Sequence, residues 1–234
     1  MIRRKPLECR GVRILVLLAA ALVIKGAVAA PFAVQLGETR LALDAPPGFA
    51  DVQATGSPRL LELAEALTSA SNRILLFALE DDDVRRFTVG DSLELRRYVI
   101  VVTPKELQTA RVTLAAFRGL VADSLRELGP LPDPKAELRP YLDAQPRGKV
   151  SLLGELRKEQ DLVSVVKGAR LPDPPRSREP PRYLLSSSTL MLIRGKVLNL
   201  AIYTSHNGPE DVEWLRAVTL RWIEELQRLN LRQP

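Results

Sequence analysis

Between residues 183 and 204 the apolar positions fall into two β-rich runs, Tyr183-Leu-Leu-Ser-Ser-Ser-Thr-Leu-Met-Leu-Ile and Lys196-Val-Leu-Asn-Leu-Ala-Ile-Tyr-Thr, which meet at Arg194-Gly195. Glycine there supplies the positive φ of a tight hairpin turn. The resulting register places Met191 opposite Leu198, Leu192 opposite Val197 and Ser187 opposite Ile202. One face of the ribbon then carries Met191, Leu198, Leu200 and Ile202, and the other Leu190, Leu192, Val197, Ala201 and Tyr203. Both faces are apolar, so both call for cover.

A helix follows. Pro209 suits a first helical position, and Glu210, Asp211 and Glu213 complement the positive end of the helix dipole. Val212, Leu215, Val218, Trp222, Leu226 and Leu229 recur at three- and four-residue steps, which predicts a helix docked on the sheet.

Earlier in the chain, 33–36 and 39–43 read as strands around Gly37, and Ser57-Pro58 opens a helix whose apolar side is Leu60, Leu63, Ala64 and Leu67. Residues 73–79 read as a strand, Glu80-Asp81-Asp82-Asp83 as an acidic turn, 84–89 as a segment that pairs next, and 95–102 as a strong strand. Thr103-Pro104-Lys105-Glu106 has the layout of a capping box, and Leu107, Ala110, Leu114, Phe117, Val121, Leu125 and Leu128 keep the helical period until Gly129-Pro130. Two more strands are expected at 149–153 and 162–169, with proline-bearing loops at 130–148 and 171–182. The order predicts an α+β domain over 30–234, a mainly antiparallel sheet flanked by three amphipathic helices as an α/β/α sandwich.

The amino terminus changes the charge picture. Residues 1–13 are basic, 14–24 are an apolar run, and Ala27-Val28-Ala29 has the A-x-A arrangement of a secretory signal peptide cleaved after Ala29. That run is shorter than the roughly 20 residues a span needs. An inner-membrane anchor over 12–30, left uncleaved, is the alternative, and it is the one case that puts the protein on a membrane. The whole chain has a formal charge of +6, but 1–29 holds six of the 34 Lys and Arg and one of the 28 Asp and Glu, leaving 28 against 27. That balance gives no footing for nucleic-acid binding. Cys9, the sole cysteine, lies inside the leader, so the mature chain has no disulfide, thiolate ligand or cysteine nucleophile.

Candidate chemistry is sparse. His206, the one histidine, sits in the loop Thr204-Ser205-His206-Asn207-Gly208 and offers an acyl-transfer set with Ser205, Ser188 or Asp211, although no Gly-x-Ser-x-Gly elbow surrounds those serines. Ser186–Ser188 with Lys196 would be a serine–lysine arrangement, but the register sets Lys196 opposite Ile193, out of reach. Asp81, Asp82 and Asp83 with Glu80 and Asp91 gather carboxylates that suit a hard cation, without the spacing of a calcium loop; a solvated hairpin tip is the plainer reading. Arg85, Arg86, Arg96 and Arg97 offset those acids, and Arg176, Arg178 and Arg182 decorate the second proline-rich loop.

Pro47-Gly48-Phe49 after an early strand, Gly195-Lys196-Val197-Leu198-Asn199-Leu200 in the late hairpin and the tryptophan-bearing terminal helix resemble the PsbP-like α/β/α sandwich of photosystem accessory proteins and several exported bacterial families. The resemblance implies a non-catalytic accessory or binding protein without a cofactor. The expectation is therefore an exported envelope protein, periplasmic or secreted, that meets a protein, lipid or glycan partner. A hydrolase or divalent-cation-dependent enzyme using His206 or the Glu80–Asp83 turn is the alternative.

Overall fold

A computed structural model describes residues 31–133, 136–173 and 179–231. The leader with its cleavage site, and Arg176 and Arg178, lie outside the described residues. Strands β1 (Phe32–Leu36) and β2 (Thr39–Leu43) form a separate hairpin. They are followed by β3 (Phe49–Asp51), α1 (Pro58–Ala66), β4 (Asn72–Glu80), α2 (Asp81–Thr88), β5 (Arg97–Pro104), α3 (Leu114–Leu128) and α4 (Leu138–Asp143). Then come β6 (Ser151–Lys158), β7 (Leu162–Arg170), β8 (Tyr183–Ile193), β9 (Lys196–Ser205) and α5 (Pro209–Leu231). The seven-stranded sheet has the order β3-β4-β5-β9-β8-β7-β6, and every neighbouring pair is antiparallel. This is the α+β architecture with a mainly antiparallel sheet that the pattern predicts.

The β8–β9 ribbon lies at the middle of that sheet in the expected register, with Met191 opposite Leu198 and Ser187 opposite Ile202. Arg194 (φ 52°) and Gly195 (φ 81°) both take left-handed conformations, so the twist of the two-residue turn matches that of the strands it joins.

One face is covered by α5 and the β1–β2 hairpin. Leu215, Trp222, Ile223 and Leu226 pack with Leu41, Leu43, Met191, Leu198, Leu200 and Ile202, and each fully buried large side chain contributes about 2 kcal/mol. Two polar contacts fix the register of helix on hairpin: Trp222 Nε1 donates to the Asp44 carbonyl (2.8 Å), and Asn230 both donates to the Ala42 carbonyl (2.8 Å) and accepts from its N–H (3.0 Å).

The opposite face is covered in two patches. Helix α1 buries Leu60 and Ala64 against Phe77, Leu79, Tyr98, Ile100 and Val102. Helix α3 buries Phe117 and Val121 against Leu152, Val163, Val165 and Val197. Lys167, Ser186, Ser188 and Asn199 belong to neither cluster.

Two local expectations are corrected. No α-helix starts at the Thr103 capping box: β5 continues to pair with β4 as far as Pro104, the buried Thr103 hydroxyl donates to the Val197 carbonyl (2.9 Å), and only a short 3-10 turn, Lys105–Leu107, follows. The stretch that follows is tied to the β8–β9 turn, since Lys196 donates to the Gln108 and Ala110 carbonyls (3.0 and 2.7 Å) and Val112 N–H to the Gly195 carbonyl (2.8 Å). Backbone groups engaged there are lost to a helix, so α3 begins only where Thr113 Oγ1 accepts the Ala116 N–H (3.2 Å). The acidic run is likewise no hairpin tip. Asp81, Asp82 and Asp83 form the first turn of α2, and Arg85 and Arg86 lie in its last, a charge order that suits the helix dipole and converts 84–88 from the expected pairing segment into helix. Helix α4 occupies part of the 130–148 loop. The ends of the 171–182 loop are joined by Leu171 N–H to the Arg182 carbonyl (2.8 Å).

Candidate functional site

His206 follows the last residue of β9. Its N–H donates to the Tyr183 carbonyl (2.9 Å), its ring meets the Tyr183 ring edge-on at 6.4 Å, and its buried Nδ1 has no hydrogen-bond partner among the described residues. Burial, with the Arg139 guanidinium, pushes the imidazole below its ordinary pKa against the opposing pull of Asp211, the Gly208 backbone and Glu210. Tyr183 in turn donates its hydroxyl to Asp143 (2.8 Å), which also takes Arg170 (3.2 Å). This joins the strand end to α4.

Asp211 caps α5. One carboxylate oxygen accepts the N–H groups of Asn207 (2.8 Å) and Gly208 (3.2 Å), and the other accepts from Arg97 (3.3 Å). Burial alone would raise its pKa, but those N–H groups and the guanidinium outweigh it and hold the carboxyl below the usual range. Arg97 also pairs with Glu80 (3.3 Å) and lies over the Trp214 ring. The acyl-transfer set does not converge, because Asp211 uses both oxygens elsewhere and Ser188 sits opposite Ala201, five positions up β9 from His206. Ser205 adjoins His206 in sequence and lines a cavity of about 150 Å³ with Glu80, Arg97, Thr204 and Asp211.

Most acids around the start of α2 meet an arginine. Asp82 pairs with Arg85 (3.2 Å), Asp91 with Arg86 (3.6 Å), and Glu94 with both Arg86 (3.5 Å) and Arg96 (2.9 Å). Asp83 is buried, and its Oδ2 has no hydrogen-bond partner among the described residues. Among the described residues no three His, Cys, Asp or Glu side chains converge as a metal-binding group.

A second polar locus lies between the α1 and α3 patches. Tyr98, Tyr203, Ser186 and Lys167 stand directly opposite one another across β5, β9, β8 and β7, so they form one row perpendicular to the strands. The two tyrosine rings stack, 4.5 Å between centres and 10° from parallel. Two residues along β8 from Ser186, Ser188 donates to Asn199 Oδ1 (3.2 Å). Ser187 points the other way, 2.8 Å from Thr219 Oγ1 on α5. The expected run of three serines is thus divided between the two faces of the sheet.

Lys167 has no ion pair or hydrogen bond among the described residues. Burial pushes its ammonium below the ordinary lysine pKa. Lys196 is the opposite case, buried and satisfied by two carbonyls. The lysine that faces the serines is therefore Lys167, which the hairpin register does not reveal because it is silent on the pairing of 162–170 with 183–191. Its one signal was a lone cation amid Leu-Val-Ser-Val-Val-Lys-Gly-Ala, where burial and charge conflict.

No protein-family model matches the chain, and neither does any curated protein sequence. Among solved structures it is similar to the Ran-binding protein Mog1p of Saccharomyces cerevisiae, at 11% identity and a TM-score of 0.38, over 87% of this chain and 94% of that one. A mutant of Mog1 aligns over the same shares at 11% identity and a TM-score of 0.37. The PsbP-like resemblance is thereby corrected: the structures found are of Mog1, and no PsbP-like family model matches. Of the features that suggest it, the Pro-Gly-Phe turn and the Gly-Lys hairpin serve local turn geometry and the tryptophan-bearing terminal helix covers the sheet, and none is specific to one family.

Proposed function

We propose that the chain is an exported, non-catalytic binding or accessory protein of the cell envelope, whose partner there is a protein, a lipid or a glycan. Export rests on the basic segment, apolar run and Ala-Val-Ala sequence of residues 1–29. The observation that carries a binding role is the row on the sheet face between α1 and α3, where half-buried Lys167, beside Ser186 and a tyrosine stack, has no counter-charge among the described residues. Partly desolvated cations are ordinarily paired, so one left open beside hydroxyls and a ring supplies attraction, hydrogen bonding and a flat apolar surface to something outside the chain. The test places a photocrosslinking amino acid at Ser188, with Glu62 on the exposed side of α1 as control, and irradiates intact cells. One recurrent envelope adduct from position 188 and none from 62 is expected; no adduct beyond the control would overturn the reading.

A further inference from the structure

The row across the sheet has a shape as well as a charge. Neighbouring strands lie about 4.8 Å apart, so successive members of the row are spaced by roughly a ring and its clearance. Tyr98 and Tyr203 occupy two such positions as a parallel stack. At the third, where another ring would extend the stack, the chain has the small side chain of Ser186. At the fourth stands Lys167. Ser186 is 6% exposed and forms the floor, while Tyr203 and Lys167 on either side are half-buried and form the walls.

We infer that this slot binds a small organic carboxylate carried on a flat ring, the ring lying against Tyr203 above Ser186 and the carboxylate meeting the Lys167 ammonium. Three features select that class. The ammonium has no partner among the described residues, and a carboxylate takes a charge-assisted hydrogen bond from it. A ring that follows Tyr203 in the stack gains the stacked contact that Tyr203 already makes with Tyr98 on its other side. Ser186 admits that ring, where a larger residue would fill the position, and its hydroxyl can donate to the anion. The inference rests on the reading of the protein as a binding module and narrows what it binds.

Benzoate is the probe, titrated into the full chain and followed through backbone amide NMR shifts, with acetate and benzyl alcohol as controls. Saturating shifts at Lys167, Ser186 and Tyr203 are expected, with benzoate at least about fivefold tighter than either control, because each control keeps only one of the two interactions. Lys167→Met, which keeps the aliphatic stem, should weaken benzoate about tenfold or more, and Lys167→Arg should restore most of the loss. Ser186→Leu should abolish binding by filling the floor, and Tyr203→Leu should weaken benzoate while leaving acetate unchanged. Shifts that fail to saturate, or benzoate binding unaltered in Lys167→Met with an otherwise native spectrum, would overturn the inference. Loss of the benzoate site with the Ser188 adduct retained removes this ligand class and leaves the binding module; benzoate binding without any adduct does the reverse.

Discussion

The guanidinium of Arg97 lies 4.0 Å from the centre of the Trp214 ring while reaching Glu80 on one side and Asp211 on the other, each at 3.3 Å. One side chain thus ties the end of β4 to the start of α5. Replacing it by methionine leaves the nearly buried Asp211 carboxylate without its cation, and the variant should lose about 2 kcal/mol in denaturant unfolding. Arg97→Lys should recover less than half, because an ammonium cannot serve two carboxylates and a ring face together. Full recovery with lysine would show that charge alone matters.

Asn230 treats the backbone of Ala42 as a neighbouring strand would, giving and taking one hydrogen bond. Asn230→Ala leaves a buried N–H and carbonyl unsatisfied, at a cost of about 2 kcal/mol. The loss should be local first. Hydrogen exchange at 33–43 should accelerate more than at 197–202, and equal acceleration of both would contradict the clamp.

Gly195 holds a φ of 81° with the space for a β-carbon only 2.8 Å from Arg111 Cγ. Gly195→Ala should cost about 1–2 kcal/mol through backbone strain alone. Thermal or denaturant unfolding measures it, and a neutral result would mean that the turn relaxes.

His206 titrates below its ordinary value of 6.5 when folded. Between the two values the unfolded chain binds the proton and the folded chain does not, so stability falls as pH drops through 6.5 and levels off below the folded value. Asp211 is separate in range: its depressed pKa contributes stability above 3.8 that is lost at lower pH. His206→Gln should flatten the loss between about pH 7.5 and about pH 5. An unchanged slope would assign it to other groups.

Much of this molecule was legible along the chain because its strands alternate cleanly and its central turn carries glycine. The pairing of Met191 with Leu198 follows from counting outward from Arg194-Gly195, a local operation. The failures are non-local. Thr103-Pro104-Lys105-Glu106 satisfies every local condition for a helix start, yet Lys196, ninety residues on, holds the carbonyls of Gln108 and Ala110. Along the sequence the acidic run resembles a solvated tip, because like charges in a row suit a loop; the arginines four residues later make the same charges favourable in a helix.

The polar row was hidden for the same reason. Ser186 could be placed opposite Tyr203 from the hairpin, but Lys167 joins it only through the β7–β8 pairing, which crosses a proline-rich loop whose length gives no register. His206 stands out as the chain's one histidine, and its setting, with a backbone anchor on Tyr183 and an α5 aspartate already engaged by the Asn207 and Gly208 N–H groups, depends on three elements meeting.

Residence outside the cytoplasm underlies the proposed role, and amino-terminal sequencing of the chain recovered from fractionated native cells tests it directly. A product beginning at Ala30 in the periplasmic or secreted fraction is the predicted result. A product beginning at Met1 in the cytosolic fraction would contradict it.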